Sequence, residues 1–127
     1  PLPFDDSMVK SFELLWRFEK ESVNPNSLTS YENEFLEREL DEKVKLIANS
    51  ATFDEAGTLL CELGDIQGIM ATLAFKFGVQ LSDRQRRIVR DYDRCDVEVV
   101  RHDIFRRIKD GVFPWCSGPS YRKTEDL

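Results

Sequence analysis

The chain is expected to fold as an all-α bundle with short connections. Three features of its 127 residues predict this. Apolar residues recur at three- and four-residue spacing along most of the sequence. At three expected helix starts, Ser or Thr is followed three residues later by Glu or Gln, the capping-box pattern. Gly- and Pro-bearing stretches separate the periodic segments, and alternating β-patterns are few.

These signals divide the chain into four helical segments. Segment one, about residues 5–20, carries Val9, Phe12 and Trp16 at helical spacing and stops before the turn signal Asn24-Pro25-Asn26. Segment two, about 28–48, opens with Thr29 and Glu32 and has the stripe Leu36, Leu40, Val44 and Ile47. Segment three, from Thr52 with Glu55 to about Phe77, has the stripe Leu59, Ile66, Ile69, Met70 and Leu73, and Gly78 is its stop. Segment four opens with Ser82 and Gln85 and runs as one long helix to about Lys109, with Gly111 ending it. The expectation is a single domain, 1–127, with a core over about 5–110 and an irregular tail over 112–127.

A third of the residues are charged and the net charge is −6, which suits helices with solvated outer faces and disfavours nucleic acid as a partner. No continuous apolar run predicts a membrane span, and residues 1–6 lack the basic start and apolar centre of a signal peptide. Cys61, Cys95 and Cys116 have no metal-type spacing. A reducing cytoplasm is expected, with Cys61 a small core residue. His102, among charged neighbours, reads as a surface residue. Asp91-Tyr92-Asp93 is only a fragment of a calcium loop.

Two acidic pairs stand out: Glu39 with Glu42, and Glu62 with Asp65. At 100° per residue, Glu62 falls inside the stripe of segment three and Asp65 at its edge, while Glu39 and Glu42 lie beside the stripe of segment two with Phe35 and Leu46. A carboxylate on an apolar face costs several kcal/mol, order of magnitude, unless paired or metal-bound. Two readings follow: solvated or salt-bridged helix faces, or four oxygen ligands for Mg²⁺ or Mn²⁺. Gly64 and Gly68 on the same segment suit close approach by another helix or a ligand.

The run Arg38-Glu39-Leu40-Asp41-Glu42, nineteen residues, then Glu62-Leu63-Gly64-Asp65 resembles the E-E-x-x-E…E-x-x-D signature of the all-α nucleoside triphosphate pyrophosphohydrolases. That MazG-like superfamily includes dimeric dUTPases, and the small phage and mobile-element members are nearest in pattern. The continuation to Phe77-Gly78-Val79 is similar to a MazG third helix, and the likeness covers about 28–81. Arg38 replaces the motif's first acid.

The resemblance implies a MazG-type four-helix bundle completed as a homodimer or homotetramer. It also implies an Mg²⁺-dependent hydrolase that cleaves nucleoside triphosphates to monophosphate and pyrophosphate. Glu39, Glu42, Glu62 and Asp65 would be the metal ligands, with Glu39 or Glu42 as general base. Lys76, Arg90 and Arg94 are the candidates for phosphate. Trp16 is a candidate for base stacking, although its spacing with Val9 and Phe12 fits a core position better. The alternative is a non-catalytic helical interaction protein on the same fold, with Arg38 marking loss of the site.

Overall fold

The structure is a computed structural model that describes residues 6–20, 27–90 and 97–116. These residues form five α-helices and no strand: α1 (Asp6–Lys20), α2 (Ser30–Ala48), α3 (Gly57–Phe75), α4 (Asp83–Arg90) and α5 (Val97–Lys109). The all-α expectation holds. Among the described residues α4 and α5 lie within the stretch where one long helix was expected, so the four-helix bundle is not confirmed. Residues 91–96, with Arg94, Cys95 and the Asp91–Asp93 fragment, lie outside the described residues, as do the turn signal at 24–26 and the tail from 117.

The helix α2 begins as its sequence dictates. Thr29 accepts a hydrogen bond from the Glu32 amide, and Glu32 accepts one from the Thr29 amide, closing a capping box. Ser82 and Gln85 exchange the same pair of bonds at the start of α4. Thr52 Oγ1 accepts from the Glu55 amide, but the Glu55 carboxylate accepts from the Ala51 amide at 2.9 Å and not from that of Thr52. These bonds close a turn, and α3 begins only at Gly57. At the far end of α3, Gly78 takes a positive φ of 69° and the Val79 amide returns to the Leu73 carbonyl at 2.9 Å. Gly111, at φ 74°, ends α5 in a Schellman motif: its own amide bonds to Ile108 and the Val112 amide to Arg107.

Helix α3 is central, packing against α1, α2 and α4, while α5 lies against α2. By length and composition α3 is apolar enough to cross a membrane; 44% of that stretch is buried, and its packing against three other helices places it at the centre of the bundle. Leu36, Leu40, Val44 and Ile47 of α2 meet Leu63, Ile66, Met70 and Leu73 of α3, all buried in one apolar cluster. Burying such a side chain contributes roughly 1.5–3 kcal/mol. Three polar devices join the layers. Arg17 of α1 grips the Glu32 carboxylate with both Nε and Nη2. The Lys109 ammonium of α5 donates to the Ala48 and Ser50 carbonyls at the end of α2, 2.8 and 2.6 Å away, where the helix dipole favours a cation. Arg84 of α4 donates to the Pro114 carbonyl and lies 4.1 Å from the centre of the buried Trp115 ring.

The face that α1 buries differs from the expected one. Met8, Ser11, Leu14 and Phe18 point inward, and Val9, Phe12 and Trp16 are exposed, Trp16 at 60%. Both sets fit helical spacing, and packing on α3 selects the first. Cys61, expected in the core, is also exposed.

Candidate functional site

The acidic pairs do not share one environment. On α2, Glu39 lies on the arc that turns toward α3 and is buried, whereas Glu42, three residues on, is exposed. On α3, Glu62 and Asp65 are half-buried. Between Glu39 and Glu62 stands Lys43, itself buried, one turn after Glu39. Its Nζ is 3.5 Å from Glu39 Oε2 and 3.3 Å from Glu62 Oε2. One ammonium therefore bridges two carboxylates across the α2–α3 seam, which is how a low-dielectric interior tolerates them. The salt-bridged reading thus describes Glu39 and Glu62. Lys43 was missed, although its place four residues after Glu39 on the apolar side of α2 was the signal.

Asp65 stands apart from this cluster. Burial raises its carboxyl above the ordinary aspartate range, against the opposing charge of Arg101 on α5. Among the described residues, no group of three or more His, Cys, Asp or Glu side chains is placed to hold a metal ion. The donor set around Glu39 and Glu62 contains a cation of its own, so these residues do not fit Mg²⁺ or Mn²⁺.

The remaining candidates are dispersed. Lys76 pairs with Glu19 of α1 at 2.5 Å, on the surface. Arg90 is exposed at the end of α4. Trp16 is neither core nor buried against a site, and the Lys20 ammonium sits 4.0 Å from its ring centre. His102 stacks on Phe53 with ring centres 3.7 Å apart, so the expected surface residue is in part a packing one. Gly64 is not a close-approach point within this chain, since a Cβ built there meets nothing within 4 Å.

A second polar network links α2, α4 and the segment after α5. The Gln85 amide donates to Asn33 at 2.9 Å and to Glu37 at 3.3 Å, and the Trp115 indole also bonds to Glu37. Burial raises the Glu37 carboxyl above the usual glutamate range, with Arg84 and these donors opposing it. Gln67 of α3 donates to the Ile88 carbonyl at 2.9 Å, pinning α4 to the core. These groups are spent on holding helices together.

What faces outward is apolar in part. Val9, Phe12 and Trp16 form one exposed stripe on α1, and Phe75 at the end of α3 is 80% exposed. Beside Phe75 a groove of about 410 Å³ opens between the end of α3 and α4. Exposed apolar side chains beside a groove are a common feature of surfaces that contact another molecule.

A family model described as immunity protein CdiI-like matches residues 26–110, more than half of the chain. The chain belongs to the CdiI-like immunity protein family. No curated protein and no solved structure matches it. This membership overturns the MazG-like resemblance, and with it the nucleotide pyrophosphohydrolase activity, the enzyme class and the nucleotide as partner. The acidic motif that carried the resemblance is a short pattern on two adjacent helices, and in this CdiI-like chain a lysine closes it. The matched segment spans α2 to α5.

Proposed function

We propose that this protein is a non-catalytic inhibitor that neutralises a protein toxin by binding it. The match to the CdiI-like immunity family over residues 26–110 carries the reading. Two physical features support it. The α2–α3 carboxylates engage a lysine of the same chain, and large apolar side chains are left on the surface of an otherwise well-filled core. Binding of this kind buries on the order of 1,600 Å² in total at a standard interface, a small share of which the exposed groove would supply. A cytoplasmic site of action belongs to the same proposal and agrees with the free thiols of Cys61 and Cys116.

Growth protection tests the reading. The chain is expressed in cells that also express, one at a time, a panel of toxin domains of the kind CdiI-like proteins neutralise. Protection against at least one toxin, with a complex recovered on gel filtration, is the expected result. Protection against none, together with nucleotide turnover by the purified chain, would overturn it.

A further inference from the structure

We propose that the groove between the end of α3 and α4 is the docking site for a partner-protein segment in which an apolar side chain is flanked by carboxylates. The inference rests on the toxin-binding reading and names the chemistry of the segment that binds.

The groove has apolar walls and a basic rim. Phe75, Val79, Leu81 and Val89 form the walls, and Arg86 and Arg90 stand at the edge. Its volume of about 410 Å³ is enough for one large apolar side chain and its backbone. Of the wall residues, Phe75 is 80% exposed.

Of the four arginines on helix α4, Arg86 and Arg90 line the groove, and no carboxylate side chain among the described residues lines it. Arg84 is turned inward to Trp115 and Pro114. Arg86 is held by the Leu81 carbonyl at 2.7 Å and by Asp83. Arg87 and Arg90 are exposed. Guanidinium groups at the edge of an apolar groove match carboxylates bidentately, which fixes direction as well as affinity.

The Val79–Leu73 hydrogen bond and the Gly78 turn fix the connection that lines one side of the groove. The groove lies inside the family-matched segment, whereas the exposed stripe of α1 lies outside it.

The test uses the full chain and two fluorescein-labelled peptides, each with a central Phe-Leu pair, one flanked by Asp and Glu and the other by Lys. Anisotropy is read with amide chemical shifts. The acidic peptide is expected to bind in a salt-sensitive way and to shift Ala74, Val79 and Val89. Arg90→Glu and Phe75→Ala should each weaken it at least tenfold, while Arg38→Glu on α2 leaves it unchanged. Equal binding of the basic peptide, shifts confined elsewhere, or no effect of Arg90→Glu overturns the proposal. So does a dimer of the chain itself that Arg90→Glu dissociates, which assigns the groove to a second copy. Toxin protection by the wild-type chain without acidic-peptide binding overturns the groove and leaves the toxin-binding reading standing. Peptide binding lost in Arg90→Glu, with protection against no toxin and nucleotide turnover by the purified chain, upholds the groove and removes that reading.

Discussion

The α2–α3 seam and the α4 rim both concentrate charge, and they treat it in opposite ways. At the seam, Glu39 and Glu62 are met by a lysine of the same chain, and the group is sealed among apolar side chains. At the rim, Arg90 stands exposed beside an apolar groove and an exposed Phe75. Charge that is paired inside holds the helices in register. Charge set out beside apolar surface is free to meet another molecule. Glu39 and Glu62 therefore bear on stability, and the proposed contact rests chiefly on Arg90.

The sharpest way to break this comparison is to remove the internal cation. Lys43→Ala leaves two carboxylates facing each other at the seam and should cost about 3–5 kcal/mol in urea unfolding. Glu39→Leu combined with Lys43→Met should cost less than Lys43→Ala alone, because one buried charge leaves with its partner. If Lys43→Ala is neutral, the seam does not depend on the lysine.

Next in size is the α1–α2 clamp. Glu32→Ala removes the bidentate contact to Arg17 and half of the capping box, a loss of about 1–2 kcal/mol by the same measurement. Burial acts to raise the Glu32 carboxyl, but the Arg17 and Thr29 bonds prevail and hold it below the ordinary glutamate range. Its contribution should therefore be present at neutral pH and fade as pH falls through that lowered value.

Gly64→Ala should stabilise the protein by about 0.5–1 kcal/mol, since the helix gains propensity and the new methyl meets no neighbour. A destabilised Gly64→Ala would mean that something does cover this face. Glu37→Gln sharpens the pH side of the comparison. Burial raises the Glu37 carboxyl, so its charged form is penalised in the folded state above that raised value. The variant should melt higher than wild type at neutral pH, and the gain should vanish as pH falls below the ordinary glutamate range. At the rim, Arg90→Glu should leave stability within about 0.5 kcal/mol of wild type, the counterpart of the large loss at the seam.

Much of this was legible in the residues. The capping pairs at Thr29–Glu32 and Ser82–Gln85 mark real helix starts, because a side-chain exchange at these spacings satisfies amides that nothing else reaches. At Thr52–Glu55 only half of the box forms, the Glu55 carboxylate going to the Ala51 amide, and the bonds serve a turn, so the pattern names a local bond and not the helix that follows it. On α1 two apolar sets share the helical period, and only packing on α3 decides that Met8 and Phe18 go in while Phe12 and Trp16 stay out. The carboxylates of Glu39 and Glu62 were rightly placed near apolar faces, but their counter-ion was looked for outside the chain. Lys43 was the unread signal. The family was hidden for the same reason: a short acidic spacing on two adjacent helices is compatible with a metal site and with an internal salt bridge alike.

The central claim is that this chain acts by occupying a partner. The direct measurement is a titration of a toxin that the chain protects against, with residual toxin activity followed against added protein. Binding predicts a linear fall to an end point near one protein per toxin. Full protection at a small fraction of equimolar protein would mean turnover, and would contradict the account.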